Sequence, residues 1–585
     1  MLKKFFISML GTIAGFWISI FLIFMVCVSV VGALIASGSD NKPVVAKHSI
    51  LYLKLDGEIP ERMQPADVWQ MLQNVEGGTE SLDDIVKSIR LAKDDSKIEG
   101  IFIDAAGSAM GAASREEVVE ALKEFKESGK WVYSYADAYS QGDYMISALS
   151  DSIYLNPMGS VDVHGVASQV PFFKGLLDKI GVKMQVVRVG TFKSAVEPFM
   201  TTEMSPASRL QTQVMIDSMW NYMSGVITSS RKVSEKEVNF WADSLIAMWP
   251  QNRVLDANAV DLLRYRRLVE KRLRYELSLD DDEDLPLVLP SEYMMTQKEA
   301  NSDKRHIAVL YAVGDIVDSG EGGIVGNRMV PEIIQLADDK NVAALVLRVN
   351  SGGGSAFASE QIWEALEYFK SKNKPFYVSM GDMAASGGYY ISCGADKIYA
   401  DHTTLTGSIG VFGLIPDFSE LTTGKLGLAF STVQTNANAA FPSLLTGLTP
   451  SQLQALQGSV ENTYDLFTSR VAKGRGISQD SVKVIAEGRV WTGGAAFGLG
   501  LVDEIGSLDA TVKAIAEIAG INADKVVSYP VVEDKFFSQF LAEAKKNMNI
   551  GNITLDANSV RILRTLDRLQ TMNPIQARMP EMRIE

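Results

Sequence analysis

Much of this chain is written twice. Asp151-Ser152-Ile153-Tyr154 returns as Asp396-Lys397-Ile398-Tyr399, about 245 residues later. The stretch His48 to Leu55 returns as His306 to Tyr311, and the helical spacing near Ser81 returns over Val330 to Asp339. The first copy predicts strands over 48–55, 98–104 and 131–135, with helices over 81–93 and 115–127 between them. Strands alternating with helices predict parallel sheets, so the fold class is α/β, built as two tandem units. Prolines and charges cluster from Leu285 to Lys304, which divides the chain into repeats at 47–290 and 305–530. Residues 531–585 fall outside both repeats, as a C-terminal tail.

Ahead of the first repeat, Lys3 and Lys4 precede an uncharged apolar run from Phe5 to about Ala36. That run of roughly 30 residues exceeds the roughly 20 needed to span a bilayer. Residues 1–38 are therefore expected to be a cytoplasmic tip and a single-pass anchor, with the rest exported. The small residues from Ala33 to Ser37 leave cleavage open. A formal net charge of −15 argues against a general nucleic-acid binder. The runs Arg264 to Arg274 and Asp280 to Asp284 read as a solvated helix and a solvated linker. Cys27 and Cys393 are the only cysteines, so no internal disulfide framework is expected. Cys393 reads as a buried structural thiol.

The differences between the copies point to the chemistry. Tyr377 to Met380 reads as a short strand that turns through Gly381-Asp382 into the small residues Ala384-Ala385-Ser386-Gly387-Gly388. Ser386 would begin a helix, near free N–H groups and the positive end of its dipole. A helix cap is the ordinary use of such a serine; a nucleophile with an N–H facing an oxyanion is the other. About thirty residues earlier, the strand Ala344 to Val349 empties into Asn350-Ser351-Gly352-Gly353-Gly354-Ser355, a loop rich in exposed N–H groups. The Gly-Lys-Ser/Thr ending of a phosphate loop is missing. Aligned at the repeat offset, Ser386 faces Gln141, and the glycine loop faces Ala105 to Ala109. The first copy offers instead Gly190-Thr191-Phe192-Lys193-Ser194-Ala195, opposite a lysine-free Gln434 to Ala440. Each half lacks what the other supplies, so one complete site could form at their junction.

A serine nucleophile needs a base. His48 and His306 begin matching strands and His164 lies in a first-copy loop, so His402, beside Asp401, is the triad candidate among four histidines. Lysine is the alternative: its ordinary pKa of about 10.4 falls when it is buried among apolar groups. Lys193, with Phe192, Ala195 and Val196 nearby, is either that base or a surface lysine. Ser408, in Thr406-Gly407-Ser408-Ile409-Gly410, either orients the amine or is a turn serine.

Four of these stretches, the Asn350 glycine loop, the Met383 to Tyr390 block, Thr406 to Val411 and Gly190 to Ala195, together resemble the signal peptide peptidase A (protease IV) family in its long, duplicated, membrane-anchored form. The resemblance runs from the anchor to about Asp503. It implies a Ser–Lys serine peptidase: Ser386 as nucleophile, Lys193 as general base, Ser408 orienting the lysine, and Gly354 and Gly387 as oxyanion-hole amides. It also implies Clp-protease/crotonase-like spiral domains and a homotetramer on the outer (periplasmic) face of the cytoplasmic membrane. Cleaved signal peptides and other small or unfolded peptides would be its substrates, with no metal or nucleotide cofactor. Gly352 stands where the family usually has proline, which removes no N–H donor. Two other classes stay open: a crotonase-like acyl-CoA enzyme and a catalytically inactive membrane scaffold.

Overall fold

A computed structural model describes residues 45–63, 80–297, 304–320, 322–530, 575–579 and 583–584, with positions 15 and 25. The expected anchor and most of the expected tail lie outside the described residues. Among the described residues no helix is long and apolar enough to cross a membrane.

The first unit alternates β1 (Ser49–Glu58), α1 (Leu82–Asp94), β2 (Ile98–Ala109), α2 (Ala112–Lys126), β3 (Trp131–Tyr139), α3 (Gln141–Ser147) and β4 (Ser152–Val161). Ser81 caps α1 by accepting from the Asp84 N–H, and Ile85, Ile89 and Ala92 form its buried stripe. The sheet runs 262–263, β4, β3, β2, β1, 287–288, with every pair parallel. Two further elements, β5 (Lys183–Val189) and α4 (Pro206–Arg231), leave this unit and reach the second.

The second unit repeats the order: β6 (His306–Val313), α5 (Gly326–Asp338), β7 (Val342–Ser351), β8 (Gly353–Ser355), α6 (Ala356–Ser371), β9 (Phe376–Ala385), α7 (Gly387–Ser392), β10 (Lys397–Ala400), β11 (Leu405–Gly407), β12 (Val411–Asp417), α8 (Pro450–Arg475), β13 (Val490–Thr492) and β14 (Val526–Tyr529). Its sheet runs β13, β11, β9, β7, β6, β14, with β10 beside β9, and is parallel except at β11–β13. On β7, Leu345, Leu347 and Val349 enter one core while Ala344 and Val346 enter another on the opposite face. Burial on both faces is why 342–347 of that strand reads as an unbroken apolar run. β9 does not turn at Gly381-Asp382 as its sequence suggests. It continues to Ala385, because Met383, Ala384 and Ala385 pair with Leu405, Thr406 and Gly407 of β11.

A third sheet joins the units. β5 of the first unit pairs antiparallel with β12 of the second, from Val189↔Val411 to Lys183↔Asp417. A strand from the C-terminal segment, β15 (Ile575–Arg578), lies between β12 and β8, antiparallel to both. Arg348 on β7 locks the units further. It is 1% exposed and pairs with Glu61 at 3.0 Å and Glu117 at 2.7 Å, both from the first unit.

Candidate active site

Ser386 lies between β9 and α7, at the cap of the helix. Its φ of 57° and ψ of −112° are strained for a non-glycine residue, and its N–H donates to the Gly407 carbonyl at 2.8 Å. It is fully buried, and its side chain makes no capping bond. In the first unit the residue at the same helix cap is Ser140, not Gln141 as the alignment suggests. A register irregularity between Ala136 and Ala138 of β3 offsets the copies by one residue there. Ser140 has ordinary extended backbone, φ −67° and ψ 154°, and spends its hydroxyl accepting from the Asp143 N–H at 3.2 Å. One copy thus has a relaxed cap; the other has a strained turn whose hydroxyl is not spent on its own helix.

The β5–β12 pairing brings Lys193 to that hydroxyl. In an antiparallel pair, residues just after Val189 and just before Val411 lie at the same end. Lys193 and Ser408 therefore meet there, each from a different unit. Lys193 Nζ lies 2.6 Å from Ser386 Oγ, 3.1 Å from Ser408 Oγ and 2.9 Å from the Ser408 carbonyl oxygen. A neutral amine has two N–H donors and one lone pair, which matches these three partners. The amine can donate to the Ser408 carbonyl and hydroxyl while accepting from Ser386. Ser408 Oγ in turn reaches the Gly488 carbonyl at 3.4 Å, and its N–H donates to the Arg489 carbonyl at 2.7 Å. Lys193 is fully buried, and desolvation holds its amine well below the ordinary lysine range.

Gly354 and Gly387 lie side by side. A Cβ on Gly387 would come within 3.1 Å of the Gly354 nitrogen, and one on Gly353 within 2.7 Å of the Gly387 nitrogen. No side chain fits at Gly354, because its Cβ would run into the Ile316 carbonyl. Into this spot comes β15, with Ala577 paired to Gly354. The Ala577 carbonyl oxygen lies 3.0 Å from the same Gly387 Cβ position. Arg578 pairs with Asp315 at 3.1 Å, and buried Met579 packs beside Met215, Met219 and Ala385. The segment thus lies along β8 as an extended strand, with the Ala577 carbonyl beside Gly353 and Gly387. The first unit fills its equivalent loop differently. There the Gly107 and Ser108 amides donate to the buried Asp143 carboxylate at 3.1 and 3.0 Å, and the Ser108 hydroxyl also bonds it.

A family model for peptidase family S49 matches residues 124–280 and 368–522, one segment in each unit. Protease 4 of Haemophilus influenzae is 35% identical over 514 residues, covering 84% of this chain and 82% of its own. The chain belongs to peptidase family S49. Protease 4 of Salmonella typhi is 36% identical over 517 residues, 85% of this chain and 83% of its own. A putative signal peptide peptidase SppA of Enterococcus faecium is 32% identical over 252 residues, 42% of this chain and 73% of its own. This S49 chain is accordingly a serine protease. Among solved structures, a ClpP1 mutant from Listeria monocytogenes aligns with 35% of this chain and 92% of its own at 14% identity, with a TM-score of 0.24, too low to build on.

The histidines of this S49 member are engaged elsewhere. His402 Nδ1 lies 2.7 Å from Glu116, whose carboxylate raises the imidazole pKa, and its ring stacks on Tyr222. His48 meets Glu99, His164 meets Asp162, and His306 meets Tyr529. Cys393 is buried, and desolvation pushes its thiol up to about 12. Sequence reasoning missed the groups that hold the lysine loop. Gln211 donates to the Phe192 carbonyl, and Glu487 accepts from Thr191. A signal existed for the first. The equivalent helices α4 and α8 both run 26 residues from proline, and where α4 carries Gln211, α8 carries Ala455.

Proposed function

We propose that this S49 protease cleaves peptides through a Ser386–Lys193 dyad. The observation carrying the reading is the 2.6 Å approach of a buried, desolvated Lys193 amine to Ser386 Oγ. Neutral Lys193 takes the Ser386 proton as Oγ attacks the peptide carbonyl, and Ser408 holds the amine in line. The Gly354 and Gly387 amides receive the oxyanion. The lysine then protonates the leaving amine and activates the water that releases the acyl group. A substrate strand takes the place of β15 between β8 and β12, so its backbone supplies most of the recognition.

The proposal extends to the setting. The uncharged run from Phe5 to Ala36 anchors the chain, with its catalytic part outside the cytoplasmic membrane. There it degrades cleaved signal peptides and other small or unfolded peptides as a homotetramer. The test is hydrolysis of a synthetic signal peptide and of casein, with a fluorophosphonate probe followed on Ser386→Ala and Lys193→Ala. Both variants should lose labelling and turnover. Labelling that survives Ser386→Ala would place the nucleophile elsewhere, and an inert wild-type chain would favour a scaffold.

A further inference from the structure

The Lys193 loop is held from two sides by groups of different units. From the second unit comes the turn 486–490. The Glu487 carbonyl accepts from the Phe192 N–H at 2.8 Å, and its carboxylate accepts from the Thr191 N–H and hydroxyl, each at 2.9 Å. Glu487 takes this place with φ 48°, a conformation non-glycine residues rarely adopt. Gly488 lies so close that a Cβ on it would come within 2.6 Å of Lys193 Cβ and 2.8 Å of its backbone. The Arg489 guanidinium lies 4.9 Å from the Phe192 ring centroid and 4.1 Å from that of Trp491. The same turn receives Ser408 through the Arg489 carbonyl.

From the first unit comes Gln211 of α4, 6% exposed. Its Nε2 donates to the Phe192 carbonyl at 3.0 Å and to Ser194 Oγ at 2.8 Å, while its Oε1 accepts from the Val490 N–H at 3.2 Å. One side chain therefore ties the loop on both sides of Lys193 to the strand that follows the turn. The corresponding Ala455 of α8 is exposed and holds no lysine loop. The amine works only if its four-carbon stem is fixed and dry.

We propose that Gln211 and Glu487 are positioning residues that clamp the Lys193 loop between the two units, a role resting on the dyad reading above. The charged groups around the loop are Arg188, whose Nη1 donates to the Lys193 carbonyl at 3.3 Å, Glu197, Glu487 and Arg489. Loosening the clamp misplaces the amine and admits water to it.

The test uses the full chain, with kcat and KM measured across pH on one peptide substrate and folding followed by thermal unfolding. Gln211→Leu and Glu487→Ala should each lower kcat about 10- to 100-fold while KM stays within about threefold. Both should also move the acidic limb of the rate profile to higher pH, because a wetter amine titrates nearer its ordinary value. Glu487→Gln keeps an acceptor for Thr191 and should retain most of kcat. Unchanged kcat with an unmoved limb would overturn the clamp. So would a loss of rate that merely follows the folded fraction. Should Gln211→Leu not fold, the Glu487 pair of variants decides the matter. An active Lys193→Ala in the same assay would overturn the dyad and the clamp with it. An inert Lys193→Ala beside an unaltered Gln211→Leu would overturn the clamp alone.

Discussion

Lys193→Met tests the buried base through stability as well as rate. The amine is fully buried and desolvation depresses its pKa, while in the unfolded chain it returns to about 10.4. Between those two values the unfolded state binds a proton that the folded state refuses. Stability of the wild type therefore falls as pH falls through that window, by about 1.4 kcal/mol per pH unit. Below the folded pKa both states bind the proton and the slope vanishes. Methionine has no such proton. It also strips partners from Ser386 and Ser408, a loss of about 1–3 kcal/mol that does not depend on pH. The variant should be inert, and its unfolding free energy relative to wild type should climb by about 1.4 kcal/mol per unit from pH 10 downward, then level off. Urea unfolding at a series of pH values measures this. A difference that stays flat across pH would mean that Lys193 is charged in the folded protein, and the neutral-base argument would fail.

Ser386→Ala and Lys193→Ala should each lower kcat by about 10⁴-fold or more, and the double variant should lose little further, since the two act as a unit. His402→Ala should stay within about twofold of wild type in the same assay, because its ring serves Glu116. Ending the chain before residue 575 should raise fluorophosphonate labelling of Ser386 by about tenfold, since β15 covers the glycine loop beside the buried serine. Unchanged labelling would contradict that covering. Arg348→Ala should cost about 3–5 kcal/mol, seen as a lower melting temperature, because it strands Glu61 and Glu117 between the units. Changing both glutamates to glutamine as well should recover much of the loss.

The duplication and the alternation of strands with helices were legible because parallel strands buried on both faces read as apolar runs. Val342 to Leu347 is the clearest case. The Ser386 and Lys193 stretches stood out because each departs from its repeat partner, and Ser408 as a hydroxyl at a turn beyond the helix that Ser386 begins. What was hidden depends on registers. The Gly381-Asp382 pair looks like a turn, yet pairing with β11 extends the strand across it. A one-residue offset after Ala136 made Gln141 look like the counterpart of Ser386, when Ser140 holds that cap. The tail strand was illegible because Ile575 to Arg578 pairs only with strands far away in sequence. Glu487 was illegible for a related reason, and Gln211 stands out only when α4 is set against α8. Polar side chains that bond a distant backbone have no local pattern.

The two copies also explain why one site, and not two, is built. An amide-lined loop beside a helix start attracts negative or carbonyl oxygen wherever it occurs. In the first unit the chain satisfies it permanently, with the Asp143 carboxylate on Gly107 and Ser108. A fixed, fully bonded carboxylate leaves no room for a substrate carbonyl, so that unit is free to specialise in supplying Lys193. In the second unit Gly388 follows Gly387 where a longer residue would meet the Ser351 carbonyl, and no acid side chain from α7 reaches the loop. The Gly353 amide donates to Ser351 Oγ within the loop, and the strand at Ala577 that lies against Gly354 comes from a distant segment of the chain. A carboxylate from the same unit in one copy, and a strand from a distant segment in the other, make the two duplicated loops differ.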